Sequence, residues 1–128
     1  MTEQDRQSAR SVAYSIKTFC EQAGDKPITI TLSNGDADQE SMTIASSDMI
    51  QIDRGGVKSP AYSQDDRDIE VSAELIRSGG SALSWKNKLF PLHRPLTASI
   101  SSDGTLRIES GRAGFSDATH LFVAKAGQ

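Results

Sequence analysis

The sequence predicts a single α+β domain, mainly β, in which one N-terminal amphipathic helix precedes six to eight short, mostly antiparallel strands that form a sandwich or an open, barrel-like sheet. Two patterns support this: the apolar residues recur with helical spacing up to residue 23, and with the period of two typical of strands from residue 28 onward. The chain has 128 residues, of which 36% are hydrophobic. This is enough for one modest core, so we expect one domain over 1–128.

The helix is predicted over residues 3–23. Seven apolar residues fall within an arc of about 120° when each residue advances by about 100°. Glu3 and Asp5 suit the positive end of the helix dipole, and Gly24 is well placed to end the helix. The residues of the apolar face are Ala9, Val12, Ala13, Ile16, Phe19, Cys20 and Ala23.

A β-rich body is predicted over residues 28–125. It begins with a strand in which Ile28, Ile30 and Leu32 alternate with threonines. After a loop that contains Asn34-Gly35, we expect a return strand near residues 42–45.

The middle of the chain is less regular. Residues 49–53 resemble another strand, and residues 54–68, rich in Gly, Ser and Asp, are predicted to form a mobile loop. The next segment, 69–77, fits two structures. Alternating apolar residues favour a strand, and this is our prediction. A short helix capped by Asp65 or Asp66 remains the alternative, since Ile69, Ala73 and Ile76 would share one of its faces.

The C-terminal half is predicted to contain only strands. One covers about 82–85, after which Pro91 and Pro95 argue against a regular central strand. Segments 96–100 and 105–109 flank Asp103-Gly104, the strongest hairpin signal in the chain. A last strand over 119–125 carries Leu121 and Val123 on one face.

The composition favours a reducing compartment. The longest apolar run is about five residues, against the roughly 18 that a membrane span needs, and the first twenty residues lack the apolar stretch of a signal peptide. A single cysteine, Cys20, cannot form an internal disulfide. We therefore expect a cytoplasmic protein with no membrane association.

The charges are unevenly distributed. Residues 1–32 have a net charge of zero, residues 33–74 of −7 and residues 75–128 of +4. Between Leu75 and Ser102 there is no acidic residue, and this segment combines cations with aromatic rings. We call its seven candidate binding residues the basic aromatic stretch: Arg77, Trp85, Lys86, Lys88, Phe90, His93 and Arg94.

Two interpretations of the basic aromatic stretch compete. Aromatic faces can stack on bases while cations neutralise phosphates, which would suit single-stranded nucleic acid or another polyanion. However, Trp85 and Phe90 are among only five Trp or Phe residues, so the core needs them, and a pI of about 5.3 works against general phosphate binding. We favour core packing with solvated cations; a protein-binding patch is the other alternative.

Catalytic and metal-binding motifs are missing from the sequence. It contains no G-x-S-x-G, H-E-x-x-H, Cys-x-x-Cys or P-loop motif, and His93 and His120 stand outside any motif. The alternating acids Asp36, Asp38 and Glu40 suggest calcium ligands but lack the spacing and flanking helices of an EF-hand. We expect no metal, no cofactor and no catalytic residue.

The function predicted from these observations is a small cytosolic, non-enzymatic protein-interaction module, such as an adaptor, an inhibitor or immunity-type protein, or an assembly subunit. Opposed acidic and basic regions favour binding to a partner protein or self-association into a homo-oligomer such as a homodimer. Binding of single-stranded nucleic acid through residues 77–94 is the first alternative. A small-ligand pocket, or a hydrolase that uses His93 or His120 as its base, is the second.

Overall fold

The computed structural model describes residues 3–33, 39–44, 50–54, 56–62, 65–78, 81–85, 88–92, 96–111 and 119–127. These residues confirm the α+β, mainly β class, with all strand pairings antiparallel. The helices are α1 (Glu3–Ala23) and α2 (Asp66–Arg77). The strands are β1 (Ile28–Ser33), β2 (Gln39–Ile44), β3 (Ile50–Arg54), β4 (Val57–Pro60), β5 (Ser81–Trp85), β6 (Lys88–Leu92), β7 (Leu96–Ile100), β8 (Leu106–Gly111) and β9 (Thr119–Ala126).

The strands form two sheets, which corresponds to the sandwich alternative rather than to one barrel-like sheet. The five-stranded sheet has the order β2-β1-β9-β8-β7, and the four-stranded sheet has the order β4-β3-β5-β6. One buried cluster includes apolar residues from both sheets and both helices. The described elements therefore share a single core, as a small single-domain protein requires.

Helix α1 has the predicted bounds and the predicted buried face. All seven residues of the apolar face are buried, and the helix packs on α2, β7 and β8. It ends at Gly24, whose φ of 57° lies in the left-handed region. The Gly24 amide donates to the carbonyl of Cys20 at 3.3 Å.

The Asp103-Gly104 hairpin is also confirmed. It joins β7 to β8, and Gly104 adopts a φ of 87° that strongly favours glycine. The Ser101 amide donates to the Thr105 carbonyl at 2.9 Å, and the Asp103 carboxylate accepts from the Thr105 amide at 3.1 Å. These bonds close the turn and set the register of the strand pair.

The segment 54–68, predicted to be an irregular mobile loop, contains strand β4 and the start of α2 among its described residues. Arg54 pairs with Val57, so β3 and β4 form a hairpin across a two-residue turn. Gly56 adopts a φ of 89°, and its amide donates to the Asp53 side chain at 3.0 Å. Gly56, which contributed to the prediction of a loop, therefore takes part in a tight turn, as glycine does in many hairpins.

The strand favoured over 69–77 is a helix, so the described residues contain two helices where one was predicted. The Asp65 carboxylate accepts from the Arg67 amide at 2.9 Å and caps the start of α2. Val71, an apolar residue of the strand pattern, is exposed instead. The helical spacing of i, i+3, i+4 and i+7 determines the buried face, which consists of Ile69, Ser72, Ala73 and Ile76.

Serine hydroxyls attach α2 to the four-stranded sheet. The buried Ser72 hydroxyl donates to the Pro60 carbonyl and lies 3.4 Å from the Ser59 hydroxyl. The Ser81 hydroxyl donates to the Leu75 carbonyl at 2.5 Å. Buried hydroxyls need such partners, so these bonds fix the position of the helix on the sheet.

Two strand predictions change in detail. The structure describes nine strands where six to eight were predicted, because β4 and β6 are added and the strand expected over 69–77 is a helix. Strand β2 begins at Gln39, earlier than expected. In β9, Leu121 and Val123 share one face as predicted and are half-buried, and the fully buried residues are Phe122 and Ala124 on the opposite face.

Other predicted features fit or cannot be compared. Strand β6 contains Pro91 but lies at a sheet edge, which is where a strand tolerates proline. The turn at Asn34-Gly35 lies outside the described residues.

Candidate interaction surfaces

Trp85, the central aromatic residue of the basic aromatic stretch, lies in the core. Its side chain is only 2% exposed, and its ring stacks on Phe122 with the ring centroids 5.9 Å apart and the planes 19° apart. The indole N–H is buried, and the described residues offer it no hydrogen-bond acceptor. In this position the indole has no open face on which a base could stack.

The structure describes only part of the rest of the basic aromatic stretch. Arg77 ends α2, where its side chain is 14% exposed and forms an ion pair with Glu74. Lys88 and Phe90 belong to β6, of which only the backbone is described at these positions. Lys86, His93 and Arg94 lie outside the described residues, so binding of nucleic acid through this stretch stays a prediction.

The two helices are instead joined by a ladder of ion pairs that sequence reasoning did not identify. Arg10 Nη2 lies 3.0 Å from Glu70 Oε2, and Lys17 Nζ lies 3.7 Å from Asp66 Oδ1. The later residue of α1 pairs with the earlier residue of α2, so the helices run antiparallel. The sequence does contain the residues that form these ion pairs: basic residues on the polar side of α1, and acids within residues 65–74. Only the packing of the helices shows which ones meet.

A shallow groove runs between the helices. Its volume is about 110 Å³, and it is lined by Arg10, Glu70, Ala73, Glu74 and Arg77. Since liquid water occupies about 30 Å³ per molecule, the groove holds only a few waters, well below the roughly 300 Å³ of a typical ligand site. Its charged groups already pair with one another. The groove therefore does not resemble a small-molecule pocket.

The outer surface of the helix pair combines apolar and acidic groups. Tyr14 is 43% exposed and Val71 is 45% exposed. Each lies two residues, or about half a turn, from a buried isoleucine, and so points away from the core. Residues 65–78 contain five acids and two arginines, a net charge of −3. We call the outer surface formed by Tyr14, Val71, Asp66, Glu70 and Glu74 the helix-pair surface.

The described residues offer little for catalysis. Burial, with the charge of Glu21 as a smaller cause, raises the pKa of the Cys20 thiol to about 12, so the thiolate needed for nucleophilic attack does not form near neutral pH. The backbone of His120 lies in β9, and His93 lies outside the described residues. Within the described part of the chain, no group of three His, Cys, Asp or Glu side chains is placed to hold a metal ion. Asp36 and Asp38 are outside it.

No helix in the described segments is both long enough and apolar enough to cross a membrane. In comparisons with protein-family models, with curated proteins and with solved structures, nothing matches this chain. Function must therefore be argued from the chain's own surfaces.

Proposed function

We propose that this chain is a small cytosolic, non-enzymatic protein-interaction module that binds a partner protein through the helix-pair surface and also associates with itself. Adaptors, inhibitors or immunity-type proteins, and assembly subunits are the classes that fit this description. The observation that carries the proposal is the exposure of two large apolar side chains, Tyr14 and Val71, among carboxylates on adjacent helices.

The composition of the surface suits a protein partner. Protein interfaces combine an apolar centre, in which tyrosine is enriched, with a polar rim that excludes water. Tyr14 and Val71 supply one exposed apolar side chain on each helix, and the exposed acids Glu70, Glu74 and Asp66 supply the polar groups. The net charge of −3 over residues 65–78 favours a partner with a basic face.

The ion pairs join the two helices at this surface. Arg10, Lys17 and Arg77 pair with Glu70, Asp66 and Glu74, whose side chains each stay more than half exposed. Exposed charges of this kind act mainly on the rate and specificity of association, and salt screens them. Binding of the partner should therefore weaken as the salt concentration rises.

The test is a pull-down from the lysate of the source organism at low and high salt, with identification of the retained proteins. The variant Tyr14→Ser/Val71→Ser removes the apolar centre of the helix-pair surface. The matched control is Val57→Ser, because Val57 is a 61% exposed valine that belongs to β4 and to neither helix.

We expect one dominant protein that the wild type and the control retain and the double variant loses. Equal retention by all three chains would refute binding through the helix-pair surface. Retained nucleic acid that washes off with salt would instead support the polyanion alternative.

A further inference from the structure

The two sheets have four edge strands, and three of them carry features that block pairing with another strand. Strand β7 is covered by α1. Strand β4 contains Lys58 and Pro60, and β6 contains Lys88 and Pro91. Lysine, proline and a covering helix are the usual means by which proteins protect sheet edges from other chains.

Strand β2 differs from these three edges. Its sequence, Gln-Glu-Ser-Met-Thr-Ile, contains no proline and no lysine. Among the described residues it pairs with β1 alone. With six residues, β2 is longer than the other edge strands β4, β6 and β7, and so it offers the longest open edge in the described structure.

The register shows which backbone groups of β2 face outward. The Gly127 amide donates to the Pro27 carbonyl at 3.0 Å, in line with the β1–β9 register. Hydrogen bonding alternates along an antiparallel strand, so the odd-numbered residues of β1 bond to β9 and the even-numbered ones to β2. The β2 residues that bond to β1 are therefore 40, 42 and 44. Gln39, Ser41 and Thr43 direct their backbone groups to the open edge.

This edge is complementary to itself. If two copies of β2 pair antiparallel around a two-fold axis at Ser41, Gln39 meets the partner's Thr43, and Ser41 meets the partner's Ser41. All three outward N–H groups and all three outward carbonyls of each copy then find a partner, giving six hydrogen bonds. A shift of the axis to residue 40 or 42 loses one of these three pairs.

We propose that β2 pairs in this way with β2 of a second copy of the chain, joining the two five-stranded sheets into one ten-stranded sheet. The residues that meet at the edge are uncharged, so the pairing sets no like charges opposite each other. An isologous contact of this type closes at two copies and does not extend into a fibre. The interface is small, and the dimer should dissociate on dilution.

This inference rests on the proposed function only for the self-association of the module, and it uses a different surface. The β2 variants below report on the pairing of two copies, whereas the Tyr14 and Val71 variants report on the partner protein. Either proposal can therefore fail while the other holds.

The first test is a disulfide cross-link in the full chain with Ser41→Cys. Opposed residues of a hydrogen-bonded antiparallel pair lie about 5.5 Å apart at Cα, within the range of a disulfide. The native Cys20 is buried, with its pKa raised to about 12, so it does not compete. The control is Ser99→Cys, on the exposed face of β7 at the opposite edge of the same sheet.

Under mild oxidation we expect a covalent dimer from Ser41→Cys, at least tenfold more than from Ser99→Cys. Equal amounts from the two variants would overturn the proposal. In sedimentation we expect the wild type and Ser41→Ala to dimerise as the concentration rises, because both keep the backbone amide.

Ser41→Pro removes the central outward amide and keeps the bonds to β1, so it should stay monomeric at the same concentration. Dimerisation of a folded Ser41→Pro would refute backbone pairing. If the proline variant fails to fold, the cross-link decides the question alone. If the wild type stays monomeric and binds another protein that Ser41→Pro no longer binds, the edge pairs with another polypeptide. This outcome would also refute self-pairing.

Discussion

The orientation of β9 is the most direct point at which the tertiary arrangement can be tested. Phe122 is fully buried against Trp85, whereas its neighbour Val123 is half-buried on the other face of the sheet. Phe122→Ala removes a core ring and one half of an aromatic pair. A change of this kind costs about 3–5 kcal/mol, while Val123→Ala should cost about 1 kcal/mol or less.

Urea unfolding followed by tryptophan fluorescence measures the difference, because Trp85 is the only tryptophan and contacts Phe122. With a slope of about 2 kcal/mol per molar urea, Phe122→Ala should lower the midpoint by roughly 2 M. That is a large part of the roughly 5–15 kcal/mol by which such domains are stable. A larger loss for Val123→Ala than for Phe122→Ala would mean that β9 is turned by one residue, and would refute the described core.

Three further outcomes follow from the described side chains. The emission of Trp85 should not change when a single-stranded oligonucleotide is added at low salt, because the ring is buried; a clear change would restore the polyanion alternative. Cys20 should resist alkylation in the native protein at about pH 8 and react on unfolding, since its pKa is raised to about 12. Hydrogen bonds from Ser101 and Thr105 lower the pKa of Asp103 from 3.8 to about 2, which a carboxyl titration by NMR can verify. The stability that the ionised Asp103 adds is complete above about pH 4 and is lost toward pH 2, so Asp103→Asn should flatten this part of the acid-unfolding curve; an unchanged curve would contradict the hydrogen-bonded turn.

Much of the fold follows from short-range patterns. The helical spacing of apolar residues predicted α1 with its bounds and its buried face. Asp103-Gly104 predicted the β7–β8 hairpin, because the positive φ that the turn needs is available to glycine at little cost. Features of this kind depend on residues close in sequence, and tertiary contacts then reinforce them.

The segment that forms α2 shows where such patterns reach their limit. Its apolar residues fit both a period of two and a helical face, so local spacing does not decide between them. The Asp65 cap and the fit of Ser72 against Pro60 and Ser59 favour the helix. The sequence showed Asp65 as a possible cap for the alternative helix. It did not show the contacts of Ser72 with β4, because these join residues that meet only in the folded chain.

The candidate surfaces could be predicted only in part. The surplus of acids in the middle of the chain was apparent from the sequence, and it contributes to the helix-pair surface on α2. The sequence favoured a core position for Trp85 over a binding site, and the fold places the ring in the core against Phe122 from the other sheet. The exposure of a side chain depends on how the whole chain packs, so it cannot be read from the residue types alone.

The sequence by itself determined the class of the fold, the N-terminal helix and most of the strands, because hydrophobic periodicity and turn residues act over a few neighbours. Only the tertiary structure decided which face of β9 is buried, that Arg10 meets Glu70 across two helices, and that β2 is an edge strand among the described residues. The physical reason is that burial and pairing depend on which distant elements compete for the same core. That competition is resolved only when the two sheets and the two helices pack together.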